Sequence, residues 1–301
     1  MPELPDITLY IEALRQRILG LRLERTRVLS PFLLCSVDPP LDAVQGQRVV
    51  AFERLGKRIA IGFENDVWLV LHLMIAGRLQ WRADWPTKLT RHTLLALGFE
   101  GGTLLLTEAG TKRRASLNVV RGRTGLAAHQ PGGLELDRAS AAEFEAALKA
   151  GNHTLKRALT DPRLISGVGN AYSDEILHRA RLSPVTLTSR LTSEESARLF
   201  AAAREVLAAW LERLREKAHG DFPSKVTAFH DEMAVHGKYG KPCPVCQTKV
   251  QRIRYADNET NYCPRCQTNG RLLADRSLSR LLKNDWPRSL DELEEMHNGP
   301  G

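Results

Sequence analysis

Four cysteines near the carboxy terminus have the spacing of metal ligands. They form two Cys-x2-Cys pairs separated by sixteen residues: Cys243 and Cys246, then Cys263 and Cys266. Four thiolates in two such pairs can surround Zn²⁺ tetrahedrally, and a complete set of protein ligands is typical of a structural site rather than a catalytic one. The sequence therefore predicts one structural zinc ion.

The segment between the cysteine pairs has the length of a two-stranded hairpin. Residues 249–262 would form its strands, and Asp257 and Asn258 would form its turn. The hairpin would display three basic residues, Lys249, Arg252 and Arg254. These bases favour contact with an anionic partner, and a solvated charged face is the alternative interpretation.

The amino-terminal residues Pro2 and Glu3 could carry covalent chemistry. A small second residue favours removal of Met1, which would leave Pro2 with a free secondary amine. Since an α-amino group titrates near pH 8, a useful fraction is neutral and can attack C1′ of a sugar to form an iminium. Glu3 would transfer protons. If Met1 is retained, this chemistry is impossible, and an ordinary helix start is the alternative interpretation.

Composition and charge favour a polyanionic partner. The chain has 301 residues, 43% of them hydrophobic, and a net charge of +8. Five acids and one base lie in residues 285–301, so the remainder is more basic still. Such a charge is typical of nucleic-acid binding but is weak evidence alone. We expect a cytoplasmic protein, because the sequence has neither a membrane-spanning run nor a secretory pattern.

The hydrophobic periodicity changes along the chain. Apolar spacing predicts helices over residues 7–19, 140–150, 155–159, 171–180 and 192–217, the last with a capping box at Thr192. Short β-rich segments punctuated by Gly, Asn and Asp predict strands over residues 47–53, 58–63, 67–74, 93–99 and 103–107. The amino-terminal half should therefore be a β-sandwich or half-barrel, and the following part should be helical.

Four motifs in one order resemble the formamidopyrimidine-DNA glycosylase / endonuclease VIII family. They are the opening Pro-Glu-Leu-Pro-Asp, Lys57 in Leu-Gly-Lys-Arg, the segment from Lys156 to Gly-Val-Gly-Asn-Ala-Tyr-Ser-Asp-Glu around Asn170, and the cysteine hairpin. The resemblance covers about residues 2–267. It implies an α+β fold of two domains with an amino-terminal β-sandwich and its helix, a helix-two-turn-helix domain and a four-cysteine zinc finger.

Domain boundaries follow from the sequence pattern together with this resemblance. We expect a catalytic β-sandwich domain over residues 1–128, a linker over 129–136 and a helix-two-turn-helix domain over 137–230. The zinc finger would cover 236–267 and an extension 268–301. In the extension, residues 271–283 predict a short amphipathic helix packed on the protein, with a DNA or partner contact as the alternative.

The resemblance also implies an activity and its residues. Pro2 would be the nucleophile, Glu3 the proton-transfer acid, and Lys57 a phosphate contact that assists elimination. Lys156 and Asn170 would hold phosphates that flank the lesion in double-stranded DNA containing damaged bases or abasic sites, bound in the cleft between the domains. The expected protein is a monomeric bifunctional glycosylase and lyase of base excision repair that cleaves the strand by β/δ-elimination and is associated with the nucleoid through DNA.

Three departures from the family pattern concern the choice of lesion. In the segment 72–77, Ile75 takes the place of a void-filling methionine. The loop 107–116 has no phenylalanine, so either Arg113 or Arg114 would insert opposite the estranged base. Asn258 replaces an arginine of the zinc hairpin, and Arg254 or Arg252 could compensate only in a remodelled hairpin. These departures favour oxidised pyrimidines or a broad specificity over strict 8-oxoguanine repair.

Two other classes of function remain open from the sequence. A non-catalytic damaged-DNA-binding protein with the same fold would share the motifs but would form no covalent adduct with DNA. A zinc-ribbon module for protein contacts explains the cysteines but not the motif at the amino terminus. His72, in an apolar strand-like segment, is expected to be a structural histidine rather than a catalytic one.

Overall fold

The computed structural model describes residues 1–110, 112–223, 226–227, 229–255, 258–274 and 287–292. They form two compact units. The first contains residues 1–132 and 208–228, and the second contains 133–207 and 229–301. Within the described residues, no helix is both long enough and apolar enough to cross a membrane.

The first unit is a β-sandwich with a helix at its start. Its helix is α1 (Leu4–Ile18), and its strands are β1 (Leu23–Val28), β2 (Val49–Leu55), β3 (Arg58–Phe63), β4 (Val67–His72), β5 (Gly77–Arg82), β6 (Thr93–Phe99), β7 (Gly102–Glu108) and β8 (Ser116–Arg121). One sheet has the order β1-β6-β7-β5 and the other β2-β3-β4-β8. The described neighbouring strands in both sheets are antiparallel.

The sandwich core explains why β3 and β4 are almost continuously apolar. Alternate residues such as Ile59, Ile61 and Leu69 point into the main core together with the buried face of α1. The other face of the same sheet packs Trp68 and Val70 against Leu126 of α2 (Gly122–Ala127). Since both faces are covered, both sets of side chains are apolar.

The second unit is helical and ends in a small hairpin. Its helices are α3 (Ala141–Lys149), α4 (Leu155–Thr160), α5 (Asn170–Ala180) and α7 (Pro264–Thr268), and α6 (Ser193–Ala218) begins in it and ends in the first unit. The hairpin consists of β9 (Gln251–Tyr255) and β10 (Asn258–Tyr262). Glu195 N donates to Thr192 Oγ1 and Thr192 N donates to Glu195, which confirms the predicted capping box.

Several predicted elements need correction. The sequence did not predict strands β1, β5 and β8, because their polar outward residues conceal the alternation of apolar and polar positions. It also did not predict helix α2, which has six residues and buries only Leu126. Asn258 begins β10 opposite Tyr255 rather than lying in the hairpin turn, and residues 256–257 are outside the described residues. Residues 271–274 are not helical, since Arg271 forms a β-bridge with Ser289. The rest of the helix predicted over 271–283 falls on residues outside the described ranges.

Candidate functional site

The amino-terminal residues are buried at the start of α1. Pro2 is buried and Glu3 is 2% exposed. Glu3 is the N-cap of α1, and its backbone N–H donates to Asp6 Oδ2 at 2.8 Å. Pro5 lies in the first turn, where its fixed φ suits a helix and its missing N–H costs no hydrogen bond. The helix start thus fixes the position of the residue proposed as nucleophile.

Burial shifts the protonation of the groups around this terminus. It lowers the pKa of the Met1 amino group below its usual value. The negative charge of Glu3 opposes this effect, and the positive charge of Arg78 reinforces it. Burial likewise raises the pKa of Asp6 to about 7. Among the described residues, Asp6 Oδ1 has no hydrogen-bond partner. The environment therefore favours uncharged forms of an amine and of a carboxyl group.

Lys57 lies in the tight turn that joins β2 to β3. Gly56 precedes it with a φ of 62°, a left-handed conformation that favours glycine. The charges of Lys57 and of Arg78 both act on the Met1 amino group, so both side chains lie near the amino terminus. Arg78 belongs to β5, which the sequence did not predict. Its place in the site could not be found before the sheet order was known.

His72 lies at the end of β4, opposite Arg58 of β3. Burial lowers the pKa of His72 to about 4, and the positive charges of Arg58 and Lys57 contribute to this shift. The imidazole is therefore neutral at physiological pH. A neutral ring among cations is consistent with the structural role expected from the sequence.

A tight turn between β4 and β5 exposes Ile75. Gly77 N donates to Leu73 O at 2.9 Å, and a Cβ atom on Gly77 would lie only 2.2 Å from the same oxygen. Met74 adopts a φ of 52°. Ile75 is 60% exposed as a result. The turn thus presents an aliphatic side chain where the sequence comparison with the family placed the void-filling residue.

The loop after β7 is organised by a buried carboxylate. Glu108 is 1% exposed and accepts the backbone N–H groups of Arg114 and Ala115 at 3.0 and 3.1 Å. Arg113 and Arg114 are both exposed, and Arg113 Nη2 donates to Arg91 O at 2.6 Å. Thr111 is outside the described residues. The sequence did not single out Glu108. Its burial and these two hydrogen bonds show that it holds the base of the loop in place.

Lys156 and Asn170 lie together in the second unit, on α4 and at the start of α5. Lys156 Nζ donates to Asn170 O at 2.7 Å and to Asp174 Oδ1 at 2.5 Å. The Asn170 side chain donates to Glu259 O of β10 at 2.9 Å. Gly169 occupies the N-cap position of α5, so Asn170 is not the helix cap. The lysine is thus held at the α5 start by a carboxylate that is fully buried.

Asp174 is a connecting residue that the sequence did not identify. Its Oδ2 lies 2.8 Å from His236 Nδ1 and accepts the backbone N–H of Asn261 at 3.1 Å. The neighbouring Glu175 accepts three backbone N–H groups from residues 234–236, and burial raises its pKa. These two carboxylates fix the chain before the zinc finger to α5.

Arg254 lies on the exposed part of the zinc hairpin. It pairs across the strands with Glu259, whose Oε2 is 3.7 Å from Arg254 Nε and 3.2 Å from Arg252 Nη1. The Arg252 guanidinium also stacks 4.0 Å from the ring centroid of Tyr239. Asn258 occupies the adjacent register position and therefore points to the opposite face of the hairpin. A side chain at 258 cannot share a face with Arg254 in this register.

The four cysteines fit one tetrahedral zinc ion. All are free, and their Sγ atoms lie within 4.8 Å of one another. The distances are 3.3 Å for Cys246–Cys263, 3.5 Å for Cys246–Cys266 and 3.9 Å for Cys243–Cys266. Zn–S bonds of about 2.3 Å at tetrahedral angles require sulfur separations of this size. The cluster is a structural zinc site with no open position for a substrate.

Three family models match the chain in one order. The formamidopyrimidine-DNA glycosylase N-terminal domain matches residues 1–115, and the H2TH domain of the same enzymes matches residues 133–219. A zinc finger found in Fpg and IleRS matches residues 240–269. Together with the cysteine cluster, these matches define a zinc-containing glycosylase of base excision repair.

Curated relatives and solved structures agree. A formamidopyrimidine-DNA glycosylase of Thermus thermophilus is 34% identical over 280 residues, which cover 90% of this chain and 100% of the relative. The crystal structure of the MutM (Fpg) protein from Thermus thermophilus matches with a TM-score of 0.72 at 32% identity, covering 88% of this chain and 98% of the other. Lactococcus lactis Fpg in complex with abasic-site DNA shares the fold, with a TM-score of 0.79 at 22% identity and coverage of 88% and 99%. The chain belongs to the formamidopyrimidine-DNA glycosylase family, whose members are DNA N-glycosylases with AP lyase activity.

Proposed function

We propose that this chain is a bifunctional glycosylase and lyase that excises oxidised bases with the nitrogen of Pro2 as its nucleophile. The observation that carries the proposal is the burial of Pro2 and Glu3 at the first turn of α1. Burial lowers the pKa of the Met1 amino group, which adjoins Pro2. After removal of Met1, the same burial would favour the neutral form of the Pro2 amine, the form that can attack carbon.

The chemistry begins once the damaged nucleotide has left the base stack, which costs a few kcal/mol. The Pro2 nitrogen forms a bond to C1′ as the base leaves, and Glu3 protonates the ring oxygen so that the sugar opens to an iminium. Loss of a proton from C2′ then breaks the 3′ C–O bond, and a second elimination breaks the 5′ C–O bond. Lys57 contacts the phosphate that departs. Water then hydrolyses the iminium, which breaks the bond between the Pro2 nitrogen and C1′ and releases the unsaturated sugar remnant as an aldehyde. The products are a nicked strand with a one-nucleoside gap and the free enzyme.

The remaining site residues hold the DNA. Lys156 and Asn170 bind phosphates beside the lesion, and the backbone N–H groups of the turn before α5 add donors. Arg113 or Arg114 inserts opposite the estranged base. Arg254, on the zinc hairpin, binds a phosphate of the DNA. The partner is double-stranded DNA with damaged bases or abasic sites, and the working form is a monomer.

The preferred lesions are oxidised pyrimidines or a broad set of oxidised bases. The exposed Ile75 at the β4–β5 turn supports this choice, as does the absence of an aromatic residue from the described part of the loop before β8. An aliphatic wedge without an aromatic partner places fewer contacts on the bases around a purine lesion.

The division of labour follows the predicted domains. Residues 1–128 supply the catalytic groups, and residues 137–230 and the zinc finger at 236–267 supply the phosphate contacts. The segment 129–136 joins them. The second part of α6 belongs to the first compact unit, although the predicted helix-two-turn-helix domain includes all of α6. Limited proteolysis tests with which domain this part of α6 remains after cleavage.

The decisive experiment is a borohydride trap followed by peptide mapping. Hydride reduces the iminium to a stable amine, and the covalent complex with abasic-site DNA is then digested with trypsin. The first tryptic site follows Arg15, so the sugar remnant should be found on the peptide of residues 2–15. Intact mass of the untreated protein should show that Met1 is absent.

The matched controls separate the proline from other amines. Lys57→Gln should lower strand cleavage while the adduct stays on residues 2–15, because the lysine assists elimination and forms no bond to the sugar. An adduct mapped to any lysine, or full activity in a chain that retains Met1, overturns the assignment of Pro2. A protein that binds abasic DNA and yields no adduct would be a non-catalytic damage-binding member of the family.

The choice of lesion is tested with oligonucleotides that carry single defined lesions. Single-turnover rates on an oxidised pyrimidine and on 8-oxoguanine opposite cytosine should favour the pyrimidine. The variant Ile75→Met should lower the ratio of the pyrimidine rate to the 8-oxoguanine rate, because the 8-oxoguanine rate rises. Val37→Met, at another exposed apolar position, should leave this ratio unchanged. A strong preference for 8-oxoguanine in the wild type contradicts the proposal.

A further inference from the structure

Helix α5 carries three polar residues at intervals of four. Asn170, Asp174 and His178 therefore lie on one face of the helix. Each makes a contact with the zinc-finger part of the chain. Asn170 donates to Glu259 O at 2.9 Å, Asp174 Oδ2 accepts from Asn261 N at 3.1 Å, and His178 Nε2 lies 3.3 Å from Cys243 Sγ. This face of α5 is a continuous polar docking surface for the finger.

The third contact involves a residue that neither the predicted site nor the proposed mechanism uses. His178 is 6% exposed, and Cys243 is completely buried in the small apolar core of the finger. A ring nitrogen that is removed from water needs a hydrogen-bond partner, because a buried polar atom without one costs free energy. The sulfur of a metal ligand is a thiolate, which can only accept a hydrogen bond, so the proton must reside on Nε2.

We infer that His178 donates an outer-sphere hydrogen bond to the zinc-bound thiolate of Cys243 and thereby positions the metal site on α5. The bond delocalises part of the negative charge that four thiolates place around one divalent ion. Residues of this kind orient metal ligands, and their loss typically lowers metal affinity by about 10–100-fold. His178 is a positioning residue because it acts through Cys243 and touches no substrate.

The same helix face connects the metal to the residues proposed to bind phosphate, a connection that rests on the proposed function. Asp174 accepts from the hairpin with one oxygen and from Lys156 Nζ with the other. A hairpin that moves on α5 therefore disturbs the carboxylate that holds Lys156. The zinc site would then be coupled to DNA affinity through α5.

Three variants of the full-length protein test the inference. His178→Phe keeps a ring of similar size and removes the donor, and His178→Gln retains an N–H donor on a shorter side chain. Ile176→Val removes one buried methylene from the same helix without altering its polar face, and Ile176 is fully buried. Zinc affinity is measured by competition with a chromophoric chelator. The thiolate-to-metal charge-transfer band is recorded after substitution with Co²⁺.

We expect His178→Phe to lose about 10–100-fold in zinc affinity and to shift the Co²⁺ band, with partial recovery in His178→Gln. Ile176→Val should lower thermal stability and leave both metal readouts unchanged. Wild-type zinc affinity and an unshifted band in His178→Phe overturn the inference, and so does an equal loss of affinity in Ile176→Val. Neither readout involves DNA or Pro2, so failure of the proposed function would leave them unaltered.

Discussion

The groups around the amino terminus in the first unit and the cations proposed to bind DNA in the second unit differ in what controls their charge. In the first unit, burial shifts the pKa of the Met1 amino group down, that of His72 to about 4 and that of Asp6 to about 7. In the second unit, the cations proposed to bind DNA each have a carboxylate close by: Asp174 beside Lys156, and Glu259 beside Arg252 and Arg254. Burial favours the neutral forms of the named groups around the amino terminus, whereas a nearby carboxylate accompanies each of the named cations in the second unit.

This difference matches the chemistry proposed for each region. A nucleophilic amine must be unprotonated, and a low-dielectric environment achieves this at neutral pH. A phosphate contact must stay positive, and pairing holds the side chain in place until a phosphate competes for it. Burial and pairing are thus two solutions to two requirements within one chain. Four experiments test this comparison.

The largest expected effect is removal of the zinc. Cys263→Ser removes one of the four thiolate ligands and should therefore abolish stoichiometric zinc binding. The finger then loses a binding free energy that is about 10–16 kcal/mol in zinc-finger peptides and that contributes to folding. Hydrogen exchange should then show lost protection in β9 and β10 and retained protection in β3 and β4. Cys35→Ser, at the exposed cysteine outside the cluster, should keep its zinc and its protection pattern. Equal loss of protection in β3 and β4 would show that the two regions fold as one.

The second effect is removal of the buried carboxylate at the α5 start. Asp174→Asn leaves Lys156 without its buried counter-ion and should cost about 3–5 kcal/mol in the free energy of unfolding. As a control, Glu205→Gln on α6 breaks the exposed ion pair between Glu205 and Arg179 of α5. This variant should cost less than about 1 kcal/mol. Urea unfolding measures both. A cost of Asp174→Asn as small as that of Glu205→Gln would argue against the buried pair as a stabilising contact of the second unit.

The third effect is a pH dependence that originates in the first unit. The pKa of His72 is about 4 in the folded chain and near 6.5 when unfolded, so between these values the unfolded chain binds more protons. The contribution of His72 to stability should therefore fall as the pH drops from 6.5 towards 4, by about 2 kcal/mol for this partly exposed ring. Asp6, whose pKa is raised to about 7, acts in the opposite direction over this range, so the prediction concerns the difference between two proteins. The wild type should lose about 2 kcal/mol relative to His72→Gln between pH 6.5 and 4, measured as the free energy of unfolding. The wild type should show no such loss relative to His219→Asn, at an exposed histidine, and its absence relative to His72→Gln would refute the assignment.

The smallest effect concerns the hairpin arginine. Arg254→Gln should reduce the slope of log affinity against log salt by about 0.9, the contribution of one phosphate contact, with an uncleavable abasic-site duplex as the ligand. Arg213→Gln removes the same charge from the exposed surface of α6 and serves as the control. Equal slopes in the two variants would mean that Arg254 acts only through net charge.

The family motifs were predictable because each consists of specific residue types at a fixed spacing within one short stretch of sequence. The four-cysteine zinc site, the sandwich, the helix at the chain start and the capping box at Thr192 were all predicted and are confirmed. The strands β1, β5 and β8 were missed because one face of each carries polar residues that a short window does not recognise. The roles of Pro2, Glu3 and Lys57 stay predictions that the trap experiment addresses.

By itself, the sequence determined which chemical groups are available: four cysteines at ligand spacing, a proline at position 2 and the basic motif residues. Those features are local, and local spacing is enough to define them. Only the tertiary structure decided which charges are buried, which are paired and which side chains share a face. The charge of Arg78 on β5 acts on the amino terminus, and Asp174 joins Lys156 to the zinc hairpin across α5. Such contacts link residues far apart in the chain, because packing and sheet order, rather than proximity in sequence, bring them within reach.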